Sequence, residues 1–253
     1  MSTTASQGQS VHANGIGIHY LDQGNGEPLV LLHGGVVSTN PIWTGVPVAY
    51  ASHMDTLGGH FRVIAPDTRG CGKTVHSGGP ITFDLLADDV AALIEALDLE
   101  RPLIAGFSDG GITATILAIR HPDVVRAIVN HAGFDAFAQM MTHNEQMRPM
   151  FELLKADQDG GQGDGHWAEY LRLAFHRTTQ PPGYTFEDFG KITAPTLILV
   201  GDRDDYCTLD DAVAAYRQLT HGEIAVRPGT GHIITPAKIE LALDFFDRHR
   251  QAS

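Results

Sequence analysis

A short glycine-rich segment holds the residue best suited to act as a nucleophile. Residues 106–110 read Gly-Phe-Ser-Asp-Gly, which fits the pattern G-x-S-x-G with Ser108 at its centre. Small residues two positions before and after a serine allow a strained turn between a strand and a helix, and such a turn exposes the hydroxyl group. Apolar residues precede this segment and a helical pattern follows it. The context therefore favours a nucleophile over a glycine-rich turn without a catalytic role.

A carboxylate and a histidine follow this serine in the chain. A serine hydroxyl is a weak nucleophile at neutral pH, so it needs a base and a third group that fixes the tautomer of that base. The buried-strand pattern of residues 196–200 runs into a turn that contains Asp202, Asp204 and Asp205, and His232 follows the next predicted strand. The residues alone do not choose among the three aspartates. We take His232 as the base and Asp204 as the acid, with Asp205 as the alternative.

Two backbone N–H groups are candidates for an oxyanion hole, which acyl transfer requires. The sequence His33-Gly34-Gly35 ends a predicted strand with a flexible turn that can direct the N–H of Gly35 inward. The N–H of Asp109 begins the helix that follows Ser108. A plain glycine turn is the alternative at Gly35, but its pairing with the serine turn favours the catalytic interpretation.

The elements that must position these residues alternate between strand and helix. Two short strands are predicted within 11–21, on either side of a turn at Asn14-Gly15. Further strands are predicted at 28–32, 61–66, 102–107, 124–130, 196–200 and 223–226. The predicted helices lie at 81–97, 109–121, 210–219 and 236–249. Such alternation predicts an α/β fold, with a mainly parallel sheet and helices on both faces.

The alternation stops between Phe134 and Gly190, where helical stretches near 140–155 and 166–175 flank a glycine-rich link. We expect a helical cap over residues 134–190, inserted in a core domain formed by 1–133 and 191–253. An excursion at the carboxyl edge of a sheet suits a substrate lid. For the substrate pocket the sequence offers Gly34, Trp43, Met140, Met147 and Met150, although aromatic and thioether side chains also serve as plain packing. Tyr50 and Met54, in the long link after Gly35, have the same two interpretations.

Composition excludes several classes of function. The formal net charge is −13 without a cluster of Lys and Arg, which argues against nucleic acid as a partner. Cys71 and Cys207 lie far apart and outside any metal-binding pattern, so neither a zinc site nor a disulfide framework is expected. The serine chemistry described above implies no cofactor or metal. The first ten residues do not resemble a secretory signal, and no apolar run is long enough to cross a membrane. These features predict a cytoplasmic monomer or homodimer that acts on a small molecule.

Taken in order, these motifs resemble the α/β-hydrolase superfamily over nearly the whole chain. The resemblance implies an eight-stranded sheet and selects Asp204, because the acid of that family usually lies three residues after the strand-end glycine. The serine turn is similar to those of the biphenyl-hydrolase-like and carboxylesterase branches. Ser108 argues against haloalkane dehalogenases and epoxide hydrolases, which carry Asp there. The resemblance also implies that residues 67–74 form a structural turn organised by Asp67 and Arg69. These residues also resemble a phosphate-binding loop, but they lack the first glycine of that motif.

The chemistry expected from these residues is hydrolysis of a carboxylic ester through an acyl-enzyme. The methionines of the cap, and the carboxylate of Asp109 beside the nucleophile, favour a bulky apolar or amine-bearing ester. A lactonase or a carbon–carbon-bond hydrolase with the same triad is the alternative among enzymes. A hydrolase-like ligand receptor with little turnover is the alternative from another class.

Overall fold

The computed structural model describes residues 7–35, 50–76, 78–133, 155, 163, 165–179 and 183–250. Within these residues eight strands form one sheet in the order β1-β2-β4-β3-β5-β6-β7-β8. The strands are β1 Gln7–Ala13, β2 Ile16–Gly24, β3 Pro28–Leu32, β4 Arg62–Pro66, β5 Leu103–Phe107, β6 Ala127–His131, β7 Thr196–Gly201 and β8 Gly222–Arg227. Strand β2 is antiparallel to both β1 and β4, and all the other neighbours are parallel. This architecture confirms the predicted α/β fold.

Helices cover both faces of the sheet. In the described part of the chain they are α1 Met54–Gly58, α2 Phe83–Ala96, α3 Asp109–Arg120, α4 His166–Thr179, α5 Leu209–Gln218 and α6 Pro236–Arg248. Buried side chains of α2, α3, α4 and α5 pack on one face, and those of α1 and α6 pack on the other. Successive residues of β3 alternate between these two cores, with Val30 and Leu32 in the first and Leu29 and Leu31 in the second. This explains its unbroken apolar sequence, because a parallel strand is buried on both sides.

One predicted strand begins later than expected. The sequence predicts a strand from Val124, whereas the structure has a 3-10 helix at Pro122–Val124 and begins β6 at Ala127. Proline fixes φ near the helical value and favours a helical turn at its own position. The register of β6 is set instead by its neighbour, since Ala127 pairs with the first residue of β5, Leu103.

The region predicted as a cap lies partly outside the described residues. Its second predicted helix, at 166–175, is present as α4, and a 3-10 helix at Phe186–Lys191 leads back to β7. Of the first predicted helix, at 140–155, only Lys155 belongs to the described residues. The assignment of 134–190 as a separate cap therefore stays a prediction.

The carboxyl ends of the central strands define where a ligand can bind. The chain passes from β3 to β4 on one side and then to β5 on the other side of β3. The crevice between β3 and β5 is a topological switch point, where open α/β sheets bind their ligands. Gly34 follows β3 and Ser108 follows β5 at this crevice. None of the helices in the described ranges is long and apolar enough to cross a membrane.

Candidate active site

Ser108 occupies a strained turn between β5 and α3. Its φ of 55° and ψ of −122° place it in a backbone region that a residue with a side chain seldom adopts. The turn is tight enough to require the two flanking glycines. A Cβ atom on Gly106 would lie 2.1 Å from the carbonyl oxygen of Gly110, and one on Gly110 would lie 2.2 Å from that of Leu32. Backbone strain of this kind clusters at functional sites.

The turn after β3 approaches the serine turn closely. A Cβ atom on Gly34 would lie 3.6 Å from Cβ of Ser108. His33 orients this turn, because its Nδ1 donates to the carbonyl of Gly34 at 2.7 Å while its Nε2 accepts from the N–H of Thr68 at 2.9 Å. The carbonyl of Gly34 and the N–H of Gly35 belong to one trans peptide and point in opposite directions. His33 therefore fixes the direction of the Gly35 N–H.

The second oxyanion candidate and helix α4 lie in the same region. Asp109 is the first residue of α3, and N–H groups in the first turn of a helix have no acceptor within the helix. From α4, the hydroxyl of Tyr170 donates to the carbonyl of Gly35, and Nε2 of His166 donates to the carbonyl of Gly70 at 2.8 Å. The described part of the predicted cap is thus anchored on the turn that carries the Gly35 N–H.

Asp204 and His232 form a buried pair. Nδ1 of His232 donates to the carboxylate of Asp204, at 2.9 Å from Oδ2 and 3.1 Å from Oδ1. The carboxylate also accepts the N–H groups of Tyr206 at 3.0 Å and Cys207 at 2.8 Å, and its side chain is fully buried. Hydrogen bonds from two backbone N–H groups and the imidazole stabilise its charge. The proton of a neutral His232 is thereby held on Nδ1, which leaves Nε2 as the basic nitrogen.

The other two aspartates of this turn are placed differently. Asp202 accepts the N–H of Gly229 and is exposed. Asp205 is also exposed. Of the three, Asp204 is the one in contact with His232.

Nε2 of His232 is buried and makes no hydrogen bond within the described structure. The structure thus joins His232 to Asp204 but shows no hydrogen bond between Nε2 and the Ser108 hydroxyl. In proteins without bound substrate such contacts are often long and tighten only when substrate binds. The ring of Phe107, the residue before Ser108, packs 4.8 Å from the ring of His232, so the histidine lies next to the serine turn.

Three residues of this site were missed by the sequence interpretation. Phe107 and Tyr206 pack on the imidazole, with the ring of Tyr206 5.2 Å from that of His232. Nζ of Lys238 donates to the carbonyls of Gly231 at 3.0 Å and Ile233 at 2.8 Å. Phe107 and Tyr206 are adjacent in sequence to Ser108 and the acid turn, which is a usable signal. For Lys238 the signal is its helical spacing, since it occupies the buried face of α6 together with Ala242.

Two buried basic groups lie beneath the histidine loop. Burial lowers the pKa of Lys238 to about 8, while the negative charge of Asp204 acts in the opposite direction. Burial and, after it, the positive charge of Lys238 lower the pKa of His131 far below its ordinary value. His131 is therefore neutral at pH 7, and Lys238 carries the positive charge of this pair.

Most of the predicted pocket cannot be placed. Trp43, Met140, Met147 and Met150 lie outside the described residues, whereas Gly34 lies beside Ser108 as noted above. The other two candidates of the long link are core residues: Tyr50 is 3% exposed and Met54 is 4% exposed, and both belong to the core on the face of the sheet that α1 and α6 cover. Among the described residues no group of three His, Cys, Asp or Glu side chains is arranged to hold a metal ion.

The turn at residues 67–74 is organised by its own acidic and basic residues. The carboxylate of Asp67 accepts from Nδ1 of His19 at 3.0 Å and from the N–H of Lys73 at 2.9 Å. The guanidinium of Arg69 forms a bidentate contact with the carboxylate of Asp89. A buried carboxylate inside the loop repels phosphate, so the geometry fits a structural turn.

Comparison with known proteins identifies the family. The model of the α/β hydrolase fold family matches residues 27–187. The chain belongs to this family. Its class is accordingly that of a hydrolase, and its eight-stranded sheet and motif order agree with the family fold.

The similar proteins carry names of different hydrolases. The chain is 30% identical over 240 residues to the AB hydrolase superfamily protein YisY of Bacillus subtilis, with 83% of this chain and 87% of the relative covered. It is 28% identical over 231 residues to 2-hydroxy-6-oxo-6-(2'-aminophenyl)hexa-2,4-dienoic acid hydrolase of Metapseudomonas resinovorans, with 80% and 76% covered. The crystal structure of naproxen esterase from Bacillus subtilis superposes with a TM-score of 0.73 at 18% identity, over 95% of this chain and 91% of that one. At that identity the likeness extends to the fold alone.

Proposed function

We propose that this protein is a serine hydrolase in which Ser108 is the nucleophile, His232 the general base and Asp204 the acid that orients the histidine. The contact between His232 Nδ1 and the buried Asp204 carboxylate carries the proposal. It leaves a basic nitrogen at the end of the sheet where Ser108 sits in its strained turn. A base fixed in one tautomer beside a strained serine turn between a strand and a helix is the arrangement that serine hydrolysis requires.

The reaction proceeds in two halves. Ser108 Oγ attacks the carbonyl carbon of an ester as its proton passes to Nε2 of His232, and the N–H groups of Gly35 and Asp109 stabilise the oxyanion. The imidazolium returns the proton to the leaving alcohol, which leaves an acyl group on Ser108. Water then attacks the acyl-enzyme by the same route and releases the carboxylic acid. No cofactor or metal enters any step.

Hydrolysis of a carboxylic ester requires a nucleophile, a base and two N–H donors and no further catalytic group. An ester is therefore the simplest substrate class for this site. Asp109 is 4% exposed and follows Ser108 directly. A carboxylate on the residue next to the proposed nucleophile attracts a cationic substrate and repels an anionic one. We therefore propose bulky neutral or amine-bearing esters as the preferred members of this class.

A second candidate is hydrolysis of a carbon–carbon bond or a lactone with the same triad. It is favoured by the likeness to the hexadienoic acid hydrolase across 80% of this chain. Such a reaction also needs a proton delivered to a carbon atom of the substrate, so it makes further demands on the pocket.

A panel of three substrate types separates these candidates. The purified protein is assayed with p-nitrophenyl butyrate, a simple γ-lactone and a 2-hydroxy-6-oxo-hexa-2,4-dienoate, each with Ser108→Ala as the control. We expect the largest kcat/KM with the ester and its loss in the variant. A larger kcat/KM with the dienoate or the lactone would select the second candidate. Absence of turnover with all three, together with tight binding of one, would indicate a receptor.

A further inference from the structure

Lys238 is a charged residue in an unfavourable place. It is fully buried, and it lies in the first turn of α6, which begins at Pro236 after the N-cap Thr235. A buried ammonium loses its hydration, and a positive charge is repelled by the N-terminal end of the helix dipole. An apolar side chain would suit this buried position in the core beneath α6 better. The contacts of the ammonium group must therefore account for a lysine here.

Those contacts surround the proposed base on both sides. Nζ of Lys238 donates to the carbonyl of Gly231 at 3.0 Å and to that of Ile233 at 2.8 Å. The carbonyl of Gly231 also accepts the N–H of Ile233 at 2.9 Å, which makes His232 the central residue of a γ-turn. The Lys238 side chain therefore holds the carbonyls of the residues before and after His232.

The loop has two other contacts beside the turn: the N–H of Arg203 donates to the carbonyl of Thr230 at 3.0 Å, and the imidazole of His131 lies against the backbone of Ile233. Gly231 before His232 has no side chain to anchor it, and helix α6 begins only at Pro236. On the far side of the ring, Asp204 fixes Nδ1 but not the backbone from which the ring projects. Orientation of a general base depends on both ends, because a displacement of about 1 Å at a reacting group lowers the rate by about 100-fold.

We propose that Lys238 is a positioning residue that clamps the γ-turn of His232 and so directs Nε2 toward the nucleophile. The inference rests on the proposed function of His232 as the base. Lys238 acts through the backbone and does not touch the substrate. Its ammonium group also lies within electrostatic reach of the carboxylate of Asp204, so the clamp and the acid of the triad carry opposite charges.

The test compares Lys238→Met with the wild type. Methionine has a similar length and is apolar, so the variant removes the donors and the charge while filling the same space. We expect kcat to fall by about 10- to 100-fold with KM changed less than threefold, because the turn loosens while the substrate pocket is unchanged. The melting temperature should stay within a few degrees of the wild type. Lys191→Met is the matched control, since Lys191 is exposed and paired with Asp188 on the surface.

A spectroscopic measurement makes the outcome independent of turnover. The Nδ1–H proton of His232, bonded to Asp204, should give a downfield proton NMR signal that His232→Gln removes. In Lys238→Met we expect this signal to broaden or disappear through faster exchange with water, and in Lys191→Met to persist.

A wild-type measurement covers the case in which Lys238→Met does not fold. With lysine labelled by ¹⁵N, a hydrogen-bonded buried ammonium exchanges slowly and should give one protected signal among the four lysines of the chain. Absence of that signal would overturn the inference, as would an unchanged kcat and an unchanged His232 signal in Lys238→Met. If instead the wild type fails to hydrolyse any ester while the His232 signal still depends on Lys238, the proposed function fails and the clamp stands.

Discussion

Ser108 is held in place by the backbone around it, whereas His232 is held by side chains that reach it from other segments. At the serine turn, close backbone approaches demand glycine at positions 106 and 110. At the histidine loop, Asp204 holds the ring and Lys238 holds the two neighbouring carbonyls. The two proposed catalytic residues thus depend on different kinds of interaction, and substitutions should affect them differently.

The strongest contrast is expected among the acidic residues of the histidine loop. Asp204→Asn should lower kcat by about 10³- to 10⁴-fold, because the amide allows the wrong tautomer of His232. Asp205→Asn, at an exposed neighbour without that contact, should stay within threefold of the wild type. Steady-state kinetics on one ester measures both. The opposite ranking would move the acid to Asp205.

At the serine turn the expected effect is on folding. Gly106→Ala places a methyl group 2.1 Å from a backbone oxygen, so the turn must open. We expect a loss of about 3 kcal/mol or more in the free energy of unfolding, measured by urea denaturation. Gly17→Ala is the control, because a Cβ atom there would meet nothing within 4 Å, and it should change stability by less than about 1 kcal/mol. Equal stability of the two variants would refute the close approach at Gly106.

The histidine loop should instead show a pH-dependent stability. The pKa of Lys238 is lowered from 10.5 to about 8 by burial, so between these values the unfolded chain binds a proton that the folded chain has released. The wild type should therefore gain stability relative to Lys238→Met as the pH rises from about 8 to 10.5. The upper limit of this gain is about 3 kcal/mol, from 1.36 kcal/mol for each difference of one in pKa. If the free energies of unfolding of the two proteins changed in parallel over this pH range, a buried ammonium at Lys238 would be contradicted.

The smallest effect concerns Asp109, whose carboxylate belongs to the residue after the proposed nucleophile. Esters of one alcohol with acyl groups of equal size, bearing an amine, no charge or a carboxylate, are compared by kcat/KM at two salt concentrations. We expect the amine-bearing ester to be preferred over the anionic one by about tenfold, and Asp109→Asn to reduce this preference. Preference for the anionic ester, or a ranking that Asp109→Asn leaves unchanged, would remove the electrostatic part of the proposed specificity.

This contrast also explains what could be predicted from the sequence. The sheet followed from alternating apolar runs, and the serine turn followed from glycines whose spacing is dictated by backbone geometry. Lys238 was not found, because its role depends on where α6 packs against the loop before it. Its position on the buried face of α6 is visible in the spacing with Ala242, yet spacing alone does not tell which carbonyls a buried lysine meets. The start of β6 was misjudged because Val124 is a good strand residue by composition, while the pairing with β5 decides the register.

The central claim is that Ser108 is a nucleophile activated by His232, and covalent labelling tests it most directly. The wild type, Ser108→Ala and His232→Gln are incubated with a fluorophosphonate that phosphonylates activated serines, and the modified peptide is identified by mass spectrometry. The account predicts one adduct on Ser108 in the wild type, none in Ser108→Ala, and labelling slowed by at least about 10³-fold in His232→Gln. An adduct on another residue, or labelling of His232→Gln at the wild-type rate, would contradict it.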